Sequence, residues 1–243
     1  MIRCICLKRF LKSARTGARV IMTKRKSKTA SLKYEMEYYR NGYTRIIGVD
    51  EAGRGPWAGP LMVGAVALPL DRTDLQKALK GVRDSKLMTA NQREGLVETI
   101  KEVSLTWGLG AAEVDEIDEL GLTDATKLAV ERALNDAIER GGFQPDCLFC
   151  DFMAWPPKWQ MHQLSIVKGD QLSLTIAAAS VIAKVSRDAY MIDIAEEFPQ
   201  YGFEKHKGYH SPLHVAALEQ LGPTPIHRRS YAPIRKFLGE DAD

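Results

Sequence analysis

Arg45-Ile46-Ile47-Gly48-Val49-Asp50-Glu51-Ala52-Gly53-Arg54-Gly55 begins as an apolar, β-branched run and then meets two adjacent acids and a glycine-flanked arginine. That pattern predicts a buried strand that carries charge to its own C-terminal edge. Neighbouring carboxylates there repel each other and resist desolvation unless a cation neutralises them, and a hard divalent ion with oxygen ligands suits them. Asp50 and Glu51 are therefore read as the start of a metal site. Side chains alternate along a strand, so both acids can face one ion only if the strand ends or distorts here. Gly53 and Gly55 permit such a distortion. Arg54 leaves two readings open: a tight turn with a solvated guanidinium, or a loop that offers N–H groups and the guanidinium to a phosphate or a sugar hydroxyl.

The 243 residues suffice for one substantial core with an extra segment at an end. The apolar and charged fractions, 45% and 27%, are those of an ordinary globular chain, not of a membrane or low-complexity one. No apolar run is long enough to span a bilayer and no secretory signal is evident, so the expected location is the cytoplasm, without membrane partners. The net charge of +3 hides a division: residues 1–45 hold 13 of the 34 Lys/Arg and 2 of the 31 acids, leaving 21 against 29 for the rest. A basic arm on an acidic body fits a phosphate-seeking tail or a solubilising one. Met22 opens a polar segment within that arm and offers a second translation start. Cys4, Cys6, Cys147 and Cys150 have the count for zinc. The second pair, however, is three apart on an apparent strand and faces opposite sides, so buried thiols are expected.

Along the chain, Tyr34–Tyr43 reads as a short helix and Leu61–Leu68 as an interior strand, apolar on both faces. Thr89-Ala90-Asn91-Gln92 fits a capping box opening a helix to about Glu102, followed by a strand over Ser104–Ala112. Leu122–Arg140 has one apolar face and stops at Gly141-Gly142. Asp146-Cys147-Leu148-Phe149-Cys150-Asp151 repeats the opening theme of an apolar strand ending in an acid, and supplies a partner for Asp50. Trp155-Pro156-Pro157-Lys158-Trp159 is a loop and Gln163–Val167 a fifth strand. Lys168-Gly169-Asp170 is expected to open a helix running to Glu197, ended by Phe198-Pro199. Asp170 at its start suits either the helix dipole or the acid site. Ala177, Ala178, Ala179 and Ser180 keep that helix thin. Ser180 and Lys184 are four apart, not the three of a Ser-x-x-Lys nucleophile. Lys184 and Arg187 can meet phosphates, or Arg187 a salt bridge. His206, His210 and His214 imitate a metal stripe, but Gly208 and Pro212 break the helix that would align them. Lys205, His206, Lys207 and Tyr209 read as a patch for a nucleic-acid backbone, with Tyr209 able to stack on a sugar or base.

Asp50-Glu51-Ala52-Gly53-Arg54-Gly55 with Trp57-Ala58-Gly59-Pro60-Leu61, Asp84-Ser85-Lys86, Lys168-Gly169-Asp170, the run Ala177–Val185, Lys205-His206-Lys207-Gly208-Tyr209 and His227-Arg228-Arg229-Ser230 resembles the ribonuclease HII family over about residues 45–238. The chain departs from the family pattern at His210, where glycine is usual. The resemblance implies an α/β ribonuclease H-like fold: a mixed five-stranded sheet flanked by helices, with a small C-terminal helical extension. It divides the chain into a basic N-terminal extension (1–44), a catalytic core (45–198) and a substrate-binding extension (199–243). It implies Asp50, Glu51, Asp151 and Asp170 as catalytic acids holding two Mg²⁺ or Mn²⁺ ions. Gly53, Arg54, Gly55 and Tyr209 would read the ribose 2′-hydroxyl, and Lys86, Ser180, Lys184, His206, Lys207 and Arg228 would contact substrate. The implied activity is endonucleolytic cleavage of RNA in RNA–DNA hybrids, and of duplex DNA at embedded ribonucleotides, by a monomer. A junction-resolving nuclease of the same fold or a non-catalytic hybrid-binding protein are the alternatives. The sibling ribonuclease HIII family fits less well, because residues 1–44 are too short and polar for its N-terminal domain.

Overall fold

The computed structural model describes residues 29–151 and 161–239. Cys4, Cys6, most of the basic arm and the Trp155–Trp159 loop lie outside these residues. β1 (Ile46–Ala52), β2 (Leu61–Ala67), β3 (Thr106–Ala112), β4 (Cys147–Cys150) and β5 (His162–Ser165) make one mixed sheet in the order β3-β2-β1-β4-β5. β1 pairs antiparallel with β2 and parallel with β4, so the sheet changes sense at the strand that carries Asp50 and Glu51.

Alternation along the strands builds two cores. Ile46, Val66, Cys147 and Phe149 enter one, while Ile47, Val49, Val63, Leu148 and Cys150 enter the other. Cys147 and Cys150 thus fall buried on opposite faces, as their spacing predicts. α6 (Leu174–Glu197) covers the first face and α4 (Val114–Gly141) the second. Gly64 on β2 lies so close to α6 that an added Cβ would overlap the Ala179 carbonyl, and the Ala177–Ser180 run makes that approach possible. Under α4, Gly110 meets Ala129 in the same way. α4 kinks at Gly121 (φ 74°), so the expected helix from Leu122 is preceded by a further helical piece, and Gly142 (φ 68°) ends it. α1 (Lys33–Arg40) and α3 (Ala90–Val103) form as expected, the latter with both bonds of the Thr89–Gln92 capping box, and a short α2 (Leu75–Ala78) lies between them in the chain.

The helix expected over Lys168–Glu197 is not continuous. It divides into α5 (Gly169–Leu172) and α6 at Ser173, which is extended (φ −110°, ψ 125°) and accepts the Ile176 N–H as an N-cap. The break has a partner on α1: Glu35 Oε1 accepts from Ser173 Oγ (2.6 Å), Thr175 N (2.9 Å) and Thr175 Oγ1 (3.0 Å). Burial raises the Glu35 pKa above the usual carboxylate range, against these donors. Folding therefore favours the protonated acid. Its contribution to stability is complete below the ordinary carboxylate pKa and is lost as pH rises through the raised value. Glu35→Gln keeps an acceptor without the charge, so its Tm relative to the parent should climb as pH rises above the ordinary carboxylate pKa. A pH-independent difference in thermal unfolding would contradict this account of Glu35.

After α6, the chain turns through α7 (Phe203–His206), α8 (Pro212–Leu221) and α9 (Ala232–Phe237), the expected C-terminal helices. Tyr201, Phe203, Leu218 and Ile234 form a third, smaller core with Ala58 and Met191. Among the described residues no helix is long and apolar enough to cross a membrane.

Candidate active site

Val49 of β1 is paired with Cys150 of β4, so Asp50 and Asp151 are the next residues along two neighbouring parallel strands. That register brings together acids a hundred positions apart. Past Asp151 the chain returns along β5 to Lys168, which adopts a left-handed conformation (φ 59°) and donates its N–H to Asp151 Oδ1 at 2.9 Å. Gly169 then lets α5 start tight against the strand end, since a Cβ there would stand 2.6 Å from Ile176 Cδ1. Asp170 sits in this first turn, buried.

Glu51 differs from expectation. β1 does not end or distort at the acid pair; it stays paired through Ala52, with Glu51 opposite Val63 and Asp50 opposite Gly64. Regular alternation therefore gives Glu51 the other sheet face, and its Oε1 lies 3.7 Å from Arg54 Nε. The strand persists because β2 offers partners to both residues. Glu51 remains close enough to act on Asp50 through charge.

All four acids have raised pKa values. Asp50 is pushed well above the usual range by burial, then by Glu51, Asp170 and Asp151. Asp170 is pushed up to about 7 by burial, then by Asp84 and Asp151. Burial also raises Asp151 and Glu51, against the Lys168 and Gly169 N–H groups at Asp151 and against Arg54 at Glu51. Lys86 is the cation in their midst: burial lowers its pKa, but Asp50 and Asp170 hold it above the ordinary lysine value.

Asp84 is a fifth acid here, itself buried, and the resemblance does not place it among the catalytic acids. Its carboxylate accepts from Lys86 N (2.9 Å) and Gln171 Nε2 (3.2 Å) and acts on Asp170. Nothing local distinguishes it from an Asx turn; only the packing of the 84–88 segment on α6 reveals its position.

Five acids against Lys86 and Arg54 leave excess buried negative charge of oxygen-donor type, which suits hard divalent cations. The carboxylates share one electrostatic neighbourhood without being a closed cage: among the described residues no three His, Cys, Asp or Glu side chains stand at metal-holding spacing.

Beside the acids, the Gly53–Pro60 loop is held from behind by two buried arginines. Arg187 donates to the carbonyls of Pro60 (2.9 Å), Ala58 (3.0 Å) and Lys207 (3.0 Å). Arg228 donates to those of Gly53 (2.6 Å), Gly59 (2.7 Å) and Arg54 (3.2 Å). Arg187 is thus neither a phosphate contact nor a salt bridge, and burial lowers its pKa to about 10. Arg228, expected at the substrate, is fully buried and shapes the loop instead.

Other expected contacts divide similarly. Ser180 is buried and accepts from Ser85 N at 3.3 Å, tying the Lys86 segment to α6. His206 is committed to Tyr201 O (2.8 Å) and Gly208 N (3.2 Å). The chain itself engages the polar atoms of both, Ser180 buried and His206 half-buried. Lys184 is paired with Asp188 at 2.6 Å, and Lys207 reaches the Glu204 carbonyl. Tyr209 is 39% exposed, beside Gly55 (3.9 Å from its Cβ position) and within 6 Å of the Lys184 and Arg187 cations. Arg54 extends to Thr126 Oγ1 at 3.0 Å. The Gly-Arg-Gly loop and Tyr209 therefore form one surface. His210, the departure from the family pattern, packs its ring 4.9 Å from Trp57.

Comparison with known proteins agrees with this architecture. The family model described as ribonuclease HII matches residues 47–234. The chain is 44% identical over 205 residues to a ribonuclease HII of Halalkalibacterium halodurans, covering 84% of this chain and 74% of that one. It is 46% identical over 194 residues to that of Nitrosococcus oceani, covering 80% and 92%. Among solved structures, the ribonuclease H2 of Pyrococcus horikoshii superposes with a TM-score of 0.65 at 28% identity, over 79% of this chain and 96% of that one. With the family model matching most of its length around a mixed sheet edged by acids, the chain belongs to the ribonuclease HII family, the metal-dependent type 2 ribonucleases H.

Proposed function

We propose that the chain hydrolyses the RNA strand of RNA–DNA hybrids and incises duplex DNA at single embedded ribonucleotides, leaving 3′-hydroxyl and 5′-phosphate ends. The observation that carries the reading is the Val49–Cys150 register, which aligns Asp50 with Asp151 at the strand ends beside Asp170. Asp50, Glu51, Asp151 and Asp170 would hold two Mg²⁺ or Mn²⁺ ions. Bound there, such ions supply an activated water at neutral pH and stabilise charge on the departing oxygen. Asp151 is kept in its orientation by the Lys168 N–H, and Lys86 offsets part of the negative charge that would repel a phosphate. Glu51, on the opposite sheet face, would have to reach round the end of β1 to share an ion with Asp50.

Substrate reading falls to the neighbouring surface. The Gly53-Arg54-Gly55 loop offers backbone N–H groups and Arg54 to the sugar-phosphate backbone, and Tyr209 offers a ring on which a ribose can rest. Lys184 and Lys207 are suited to backbone phosphates. Residues 45–198 would form the catalytic core, 199–243 the substrate-binding extension and 1–44 a basic arm, acting in the cytoplasm as a monomer. Labelled duplexes with no ribonucleotide, one, or a run of them, incubated with Mg²⁺, Mn²⁺ or chelator, test the reading. Cleavage should need both a ribonucleotide and a metal. Equal cutting of the all-DNA duplex would point to a resolvase-like nuclease instead, and binding without turnover to a hybrid-binding protein.

A further inference from the structure

Behind Tyr209, two buried histidines from separate parts of the C-terminal extension face each other. His214, on α8, places Nε2 3.0 Å from His227 Nε2. At one end of the pair, the Thr224 backbone N–H and the Thr224 hydroxyl lie 2.9 Å and 2.8 Å from His227 Nδ1. A backbone N–H only donates, so His227 Nδ1 is the bare nitrogen and its proton sits on Nε2. At the other end, His214 Nδ1 lies 3.0 Å from the Tyr209 carbonyl oxygen. A carbonyl only accepts, so His214 carries its proton on Nδ1 and leaves Nε2 bare. The two ends are independent constraints, and they agree: His227 Nε2–H donates to His214 Nε2, and every bond of the chain runs towards Tyr209.

We infer that His227 and His214 form a directional hydrogen-bond relay that positions Tyr209 for substrate reading, making both histidines positioning residues. This rests on the role proposed for Tyr209. The relay ends on the carbonyl of the residue whose ring is presented, and few other contacts fix that backbone. The Tyr209 N–H donates to His206 O at 2.9 Å, whereas the preceding Lys207 (φ 50°) and Gly208 (φ 79°) are left-handed and hold the chain in a sharp turn. The Trp57 N–H donates to Gly208 O at 2.8 Å and Arg228 N donates to Trp57 O at 2.8 Å, while Ala58 bridges to His227. The relay thus also crosses the segment that carries the Gly53–Gly55 loop, and sets Tyr209 against it. The N–H···N bond needs His214 Nε2 bare and the Thr224 N–H needs His227 Nδ1 bare, so in this arrangement both imidazoles are neutral. Burial lowers the pKa of His214 to about 4 and of His227 to about 3, so they are neutral at physiological pH.

A double-mutant cycle tests the relay. His214→Ala should lower kcat/KM for incision at a single ribonucleotide by about tenfold, mainly through kcat, because a displaced Tyr209 misplaces the sugar. In the Tyr209→Ala background the same substitution should change it by less than about twofold, because the group it positions is gone. His214→Asn, whose amide N–H can still meet the Tyr209 carbonyl, should recover most of the loss. Equal losses from His214→Ala in both backgrounds would overturn the relay while leaving Tyr209 as a reader. A Tyr209→Ala enzyme with unimpaired incision would instead overturn the reading on which the relay rests. Should His214→Ala not fold, the long-range ¹H–¹⁵N imidazole spectrum of the unsubstituted protein decides: protons on His227 Nε2 and His214 Nδ1 are required, and any other tautomer pair excludes the relay.

Discussion

Asp151→Asn should abolish cleavage, by about a thousandfold or more in single-turnover rate, while substrate affinity stays the same or rises. The amide keeps an oxygen that can accept the Lys168 N–H, now at 2.9 Å, so the strand end and the left-handed turn at Lys168 have no reason to move. What disappears is charge. Burial and the neighbouring acids already hold the Asp151 and Asp170 carboxyls above their usual range, so removing one charge relieves repulsion within the cluster and towards a phosphate. Gel-based cleavage of a hybrid together with anisotropy binding in chelator separates the two effects. A variant that cuts at the parent rate in Mg²⁺ would remove Asp151 from the catalytic set.

The second large effect is expected at a residue buried behind the Gly53–Pro60 loop. Arg228 is fully buried, and its guanidinium donates to the carbonyls of Gly53, Arg54 and Gly59 and to Tyr231 Oη at 2.8 Å. Arg228→Ala strips these acceptors of their donor in a region water does not reach, at a cost of about 3–5 kcal/mol in stability. Arg228→Lys should recover little, since one ammonium on a flexible stem cannot meet several carbonyls that a planar fork reaches together. Incision should fall with stability, because the Gly53–Gly55 loop loses its backing. Urea unfolding of both variants checks the energy, and a loss below about 1 kcal/mol for Arg228→Ala would show that the loop holds its shape without the guanidinium.

These two residues also mark where sequence suffices and where it does not. That Asp50 and Asp151 lie side by side was legible because each follows an apolar run, and a charge in that position needs a reason. The sheet, the capping box at Thr89 and the stop at Gly142 were legible for similarly local causes. The burial of Arg228 was not legible, because a polar residue within a basic, turn-rich region looks the same whether it meets substrate or the protein's own carbonyls. Burial alone separates the two cases, and burial is set by segments distant in sequence. The break at Ser173 was hidden for a related reason: its cause is Glu35, 138 positions earlier. Glu51 shows the reverse error, since the strand was expected to yield to the acids, whereas pairing with β2 kept it regular.

The convergence of acids from β1, β4 and α5 on divalent ions is tested most directly by titrating Mn²⁺ into the protein and into Asp50→Asn, with free Mn²⁺ followed by electron paramagnetic resonance. Mn²⁺ should bind the parent chain, and the substitution should weaken that binding at least about tenfold, because Asp50 is the acid on which Glu51, Asp151 and Asp170 all act. Unchanged Mn²⁺ affinity in Asp50→Asn would mean that the strand-end acids are not where the metal sits.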